Sequence, residues 1–338
     1  MTTSASNYTA ASQRLVQDAL LSACATTQHY ALVDFPDHSN VGDSAIYLGE
    51  MKLLRDLYQR GPSFVSKSKT HVDDIDRFGE IDVIFLHGGG NFGDVWPKHQ
   101  LFREHILSRY PDKKIVQLPQ TLHFSSPEAQ NRSAMAFNAH PDVTVMVRDK
   151  RSYDLAQEMF TGRVILSPDC ALALGPQHRE TPATQPYLAM LREDKESQLP
   201  QDEGTLFASY PVDDWLTEPR FKSLGARLRD KTLPFWGPLR PFGMTALLHI
   251  YESWAHTRVK RGLTQLSSAE FIVTDRLHVH ILSSLLNIPH VVLDNNYGKI
   301  SGYIAQWGLP ENATLASSVD ELQQICTTRA LPRLSQAS

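Results

Sequence analysis

The strongest constraint on this chain is an alternation. Between residues 30 and 166, short runs of β-branched and other apolar residues take turns with segments of helical period. Residues 30–35, 81–86, 114–118, 143–147 and 164–166 read as strands, and 44–57, 97–110, 127–139 and 150–160 read as helices. Apolar strands separated by helices are buried on both faces, which calls for a parallel α/β sheet.

The pattern resumes after residues 175–186 (GPQHRETPATQP), whose Pro and polar content marks a linker. Residues 187–191, 205–210, 271–274 and 291–293 are strand-like. Residues 245–263, 276–286 and 320–326 are helical, and the Pro- and aromatic-rich stretch 233–242 is irregular. A chain of 338 residues has room for about two domains. The expected fold is therefore α/β, with two Rossmann-like parallel-sheet domains facing a cleft. A mobile polar tail covers 1–9, the N-terminal α/β domain 10–175, the linker 176–186 and the C-terminal α/β domain 187–338. In the first helix, from about residue 10 to 24, Leu15, Ala19 and Leu20 fall at helical spacing.

Charge narrows the partners. Lys plus Arg is 33 against 37 Asp plus Glu, a net −4, which excludes a strongly basic nucleic-acid binder. A few well-placed cations still suffice for an anionic small molecule. The three cysteines, Cys24, Cys170 and Cys326, are widely spaced with no CxxC, which suits a reducing cytoplasm and gives no zinc site. The opening residues MTTSASNYTA carry no basic region and no apolar core, so no secretory signal is expected. No apolar run approaches the roughly 20 residues of a membrane span.

Two glycine-aspartate segments follow strands. Asn40-Val41-Gly42-Asp43 precedes a helix, where Asn40 and Asp43 suit turn and cap positions and free N–H groups suit an anion. His87-Gly88-Gly89-Gly90-Asn91-Phe92-Gly93-Asp94 formally contains GxGxxG. A dinucleotide fingerprint needs a helix opening directly on the loop and an acid about 20 residues on. Here Trp96-Pro97 delays the helix and no acid ends the next strand. A ligand loop at the carboxyl end of the sheet fits better, with Asp94 facing the cleft.

Asp275-Arg276-Leu277-His278 follows a strand and opens a helix with Asp275 as a plausible N-cap. Two potential cations in a first turn oppose the helix dipole unless an anionic ligand joins them. Arg148 ends another strand, aimed at the cleft or paired with Asp149. Lys299 could reach a phosphate or simply be solvated. His278 and His280, two apart on a helix, face different ways, and HExxH and GxSxG are absent, so no metal is expected. Cys170 has no base near it in sequence.

Taken in order, Asp34-Phe35, Asn40-Val41-Gly42-Asp43, Gly88-Gly89-Gly90-Asn91-Phe92-Gly93-Asp94, Arg148-Asp149, Ser167-Pro168-Asp169 and Thr274-Asp275-Arg276-Leu277-His278 resemble the polysaccharide pyruvyl transferase family. The resemblance implies a GT-B-like fold, phosphoenolpyruvate as donor and no cofactor. It also implies a sugar acceptor, as in the lipid-linked repeat unit of an exopolysaccharide or biofilm matrix. Under it, His278 is the general acid, and Asp94 or Asp43 takes the hydroxyl proton. Arg148, Arg276, Leu277, Gly89, Gly90, Asn91 and Lys299 bind the donor, and Trp236 and Asn40 the acceptor. It allows a homo-oligomer and peripheral contact at the inner face of a membrane. The readings that compete with it are a nucleotide-sugar glycosyltransferase and a sugar-binding protein on the same fold.

Overall fold

Strand β1 (Tyr30–Val33) is buried along its whole length, as expected of a strand with helices on both faces. It is the interior of a parallel sheet in the computed structural model, which describes residues 5–68, 72–192, 211–213, 215, 240–294 and 298–329. The order is β2 (Phe64–Ser66), β1, β3 (Val83–Leu86), β5 (Lys114–His123), β6 (Val143–Val147), β7 (Arg163–Leu166), with β4 (Gly89–Gly93) paired to β5. Helices α1 (Ala5–Ala23), α2 (Val41–Tyr58), α3 (Pro97–Arg109), α4 (Pro127–Asn138) and α5 (Lys150–Met159) connect and cover it.

A second parallel sheet runs β12 (Ala313–Ala316), β11 (His290–Leu293), β10 (Ala269–Thr274), β8 (Gln185–Met190), β9 (Val212–Asp213). Its helices are α6 (Arg240–Ser267), α7 (Leu277–Leu285), α8 (Lys299–Trp307) and α9 (Val319–Thr328). Successive residues of β10 face opposite ways. Ile272 joins the large core shared with the first sheet, while Phe271 and Val273 join a smaller core with Leu322 and Cys326 of α9. Two parallel-sheet domains of the GT-B-like kind result.

The halves are tied together by helices of the second. Arg55 of α2 forks onto Glu252 of α6 at 2.5 and 3.0 Å. Arg258 of α6 donates to the Pro36 carbonyl at 2.9 Å. A Cβ at Gly262 would lie 2.4 Å from Val41, so α6 packs directly on the start of α2. Helix α8 reaches back likewise: Trp307 donates to the Arg148 carbonyl at 2.8 Å, and the Asp169 N–H donates to the Tyr303 hydroxyl at 3.3 Å.

The structure departs from the sequence reading at several elements, among them β2 and β9, which the reading did not contain. Helix α1 begins at Ala5, taking in residues assigned to the tail. Its buried stripe is Tyr8, Ser12, Val16, Leu20 and Ala23, whereas Leu15 is exposed. The glycine segment is itself a strand, with Gly89 opposite Gln120 and Gly93 opposite His123. That pairing carries β5 through Pro119, past its expected end at 118. Helix α6 extends beyond 245–263 at both ends, and α8 and β12 were not anticipated. The strand expected at 205–210 lies outside the described residues.

Candidate active site

Two helix N-termini, one from each half of the chain, meet at Gly42. Asn40 caps α2, its side-chain oxygen accepting the Gly42 N–H at 2.9 Å. Helix α7 is capped by Arg276 rather than Asp275, without a side-chain cap bond. Asp275 accepts the Arg192 N–H at 2.9 Å, joining the ends of β10 and β8. His278 follows in the first turn, and a Cβ at Gly42 would lie 2.5 Å from its Nδ1. Contact this close is open only to glycine. The positive ends of both helix dipoles therefore face one region, which suits an anion.

Beneath them lies a buried charged triad. Asp169 accepts from Arg148 Nη1 at 2.5 Å, and His278 Nε2 stands 3.4 Å from it. Its other oxygen accepts the Ala171 N–H at 2.8 Å. Burial would raise the Asp169 carboxyl, but His278, Arg148 and that N–H hold it far below the usual carboxylate range. Arg148 also donates from Nε to Thr121 at 2.9 Å, and its Nη2 lies against Gly90. Nε and Nη1 of Arg148 are therefore engaged within the protein. Asp149 reaches it only through Thr121, whose hydroxyl it accepts at 2.9 Å, and also caps α5 through the Ser152 N–H at 2.7 Å.

Asp43 sits above this triad. His38 approaches it at 3.5 Å. Burial would raise its carboxyl, but His38, His278, His87 and Arg148 hold it below the usual range. Side-chain exposure climbs from 1% at Asp169 through 15% at His278 and 24% at Asp43 to 45% at His38. The cluster thus opens to solvent on the Asp43–His38 side. Asp34, at the end of β1, holds φ 71, a left-handed conformation that an aspartate adopts at a cost. Its Oδ2 meets His99 Nδ1 at 2.8 Å.

Several predicted residues go elsewhere. Both Asp94 oxygens accept from the Ser125 N–H at 2.9 Å, and Oδ2 also accepts from the Ser125 hydroxyl at 2.8 Å and the Ser126 N–H at 3.0 Å. The Asp94 carboxylate thus secures the turn into α4. Asn91 is held by Arg103 and by Gln120 at 2.9 Å. Gly89 takes φ 124 and brings β4 close to Asp43. Arg276 donates from Nε to the Leu191 carbonyl at 3.1 Å, and Leu277 is buried in the shared core. Lys299 opens α8, but its side chain, like all of Trp236, lies outside the described residues. Among the described residues no group of three or more His, Cys, Asp or Glu is arranged to hold a metal. No described helix is long and apolar enough to cross a membrane.

The residues that sequence reasoning passed over are Asp169 as an anchor, Thr121, and the acid–imidazole pairs His38–Asp43, His99–Asp34 and His87–Glu50. Asp34 and Asp169 stood within the quoted motifs. The partners of the histidines come together only through the fold.

Known proteins are similar to this chain in sequence and in fold. The polysaccharide pyruvyl transferase family profile matches residues 40–297. Pyruvyl transferase 1 of Schizosaccharomyces pombe is 34% identical over 82% of this chain and 69% of its own length. EpsO of Bacillus subtilis, a pyruvyl transferase by assignment, is 33% identical over 82% of this chain and 85% of its own. The crystal structure of an uncharacterised Klebsiella pneumoniae protein superposes with a TM-score of 0.58 at 16% identity, covering 89% of this chain and 97% of that one. That likeness concerns the fold alone.

Proposed function

This chain belongs to the polysaccharide pyruvyl transferase family, and on that premise we propose that it uses phosphoenolpyruvate to build a pyruvate ketal on a sugar of an exopolysaccharide repeat unit. The observation that carries the reading is the convergence of His278, Asp169 and Arg148 with two helix N-termini and Asp43 at one point. A phosphate and a carboxylate on one small donor need such a concentration of positive potential.

In the proposed sequence, Arg148 Nη2, Arg276 and the helix starts hold the donor anions. His278 delivers a proton to the methylene carbon, C3, making C2 electrophilic. A sugar hydroxyl adds to C2 and its proton passes to Asp43. A second hydroxyl then attacks C2 as the C2–O bond to phosphate breaks, and its proton leaves with the phosphate. One hydroxyl proton thus replaces the proton used at C3 and the other departs with the leaving group. The base assigned here is Asp43, because the Asp94 oxygens serve the 125–126 turn.

The acceptor enters from the exposed Asp43–His38 side. Val95, Trp96 and Leu101, all exposed, follow the glycine strand and support approach to a lipid-linked acceptor at the inner face of a membrane. Three buried, unbridged cysteines fit a cytoplasmic setting. Phosphate release from phosphoenolpyruvate with lipid-linked oligosaccharide acceptors tests the reading. Release should require acceptor and add the mass of the ketal to it. His278→Ala should lower kcat by about 10²–10⁴-fold with donor binding by calorimetry largely kept. Stabilisation by nucleotide sugars and not by phosphoenolpyruvate would overturn the assignment.

A further inference from the structure

Arg103 of α3 is buried, yet every group it bonds among the described residues is neutral. Nε donates to Gln117 Oε1 at 2.7 Å, Nη1 to the Asn91 carbonyl at 3.1 Å and Nη2 to Asn91 Oδ1. The guanidinium also lies over the Phe92 ring, its Cζ 5.0 Å from the ring centre. A buried charge without a bonded counter-ion is costly, and an apolar side chain would fill the same space without that cost. A planar fork of donors does what an apolar group cannot: it holds the main chain and the side chain of one residue together.

Asn91 is gripped from β5 as well. Gln120 Oε1 accepts its N–H at 3.1 Å, and Gln120 Nε2 donates to its Oδ1 at 2.9 Å. The Gln120 carbonyl in turn accepts the Arg148 N–H at 3.0 Å. Asn91 is thus fixed at its N–H, its carbonyl and its side-chain oxygen. The preceding residue, Gly90, backs directly on Arg148, where a Cβ would lie 2.9 Å from Nη2. Thr121 and Asp169 take Nε and Nη1 of Arg148, and the glycine strand forms the wall beside Nη2.

We infer that Arg103 is a positioning residue for the donor: by clamping Asn91 it holds the glycine strand against Arg148 and so fixes where Nη2 meets the donor anion. The inference rests on the donor role given to Arg148 above. Arg103 acts through Asn91, Gly90 and Arg148 in turn, each in contact with the next.

Calorimetric binding of phosphoenolpyruvate to the full chain, read beside thermal melting, tests this in a double-mutant cycle. Arg103→Lys keeps the charge but loses the fork that spans both Asn91 oxygens, and should raise Kd about tenfold or more. Arg148→Lys keeps a cation for Asp169 but has no Nη2, and should raise Kd by itself. In the Arg148→Lys background, Arg103→Lys should add less than about a twofold loss, which a merely structural role would not produce. Asn91→Ser takes Oδ1 out of the clamp and should give the same pattern, so the test reports even if Arg103→Lys does not fold. An unchanged Kd in either folded variant, or an equal loss with and without the Arg148 fork, overturns the inference. An Arg148→Lys chain that binds phosphoenolpyruvate as the unaltered chain does overturns instead the donor role on which the inference rests, so the two failures are distinguishable.

Discussion

The imidazole of His278 occupies the space that a side chain at Gly42 would need, with Nδ1 only 2.5 Å and Cγ 2.6 Å from a Cβ placed there. A group at the start of α7 is thus seated on the first turn of α2. Gly42→Ala should displace the imidazole and lower kcat by about 10²-fold, as misplacement of a reacting group by an ångström does. Helix α2 itself should tolerate alanine. Phosphate release read beside thermal melting separates the two effects, and normal turnover in Gly42→Ala would argue that His278 needs no fixed seat.

Asp94 and Asp43 should part company. Asp94→Asn weakens the turn into α4, at a cost of about 1 kcal/mol as for a lost cap, while turnover persists. Asp43→Asn should abolish turnover. Urea denaturation and phosphate release on both variants check this, and the opposite pattern would restore Asp94 as the base.

Asp169→Asn removes the counter-charge of a buried arginine. Breaking such a pair from one side costs about 3–5 kcal/mol, so the urea midpoint should fall markedly. Turnover should fall too, because His278 loses the anion to which its Nε2 is turned. A small stability change would mean that solvent or another group replaces the Asp169 carboxylate.

Acid should destabilise the second sheet before it reaches Asp169. Burial brings His290 down to about 4 and takes His280 well below its usual range, with His290 adding to the effect, so both rings are neutral at pH 7. In that state His290 Nδ1 donates to the Ile288 carbonyl at 2.8 Å and its Nε2 accepts from His280 Nδ1, also at 2.8 Å. Folded values below the unfolded 6.5 mean that the unfolded chain binds protons first. The stability is therefore complete above pH 6.5 and is lost as pH falls toward 4, by an amount on the order of 3 kcal/mol. Asp169, also lowered, loses its contribution only below the ordinary aspartate value of 3.8. Urea titrations at pH 7 and 4.5 should show the loss, and His290→Phe should flatten it.

Strands β1, β3, β5, β6 and β7 were legible because each is a short apolar run bounded by a helix signal, whereas the three-residue β2 was not read. The glycine segment was not legible as a strand. Gly89 and Gly93 hold positive φ, and β4 exists only because β5 runs alongside it. In α1 the period was right, and Ala19 and Leu20 face the core with Tyr8 and Val16, but Leu15 faces solvent. At the site, His278, Arg148 and Asp43 stood out as charged residues at strand or helix ends, a local signal. Glu50 and His87 carried none, since residues 37 apart in sequence are joined only when α2 crosses the end of β3. The contacts of Asp94 carried no local signal for a related reason, its carboxylate being engaged by a turn 31 residues away.

The grip of α8 on the Arg148 carbonyl and the Asp169 backbone limits how this protein can be recombined. A chimera joined between β7 and β8 would take Arg148 and Asp169 from one parent and Tyr303 and Trp307 from the other. The acceptor side could not then be exchanged as a cassette. On the proposed acceptor route, altering which sugar is used calls for substitutions around Asp43 and His38, where the cluster opens to solvent, within a chain whose two halves are inherited together.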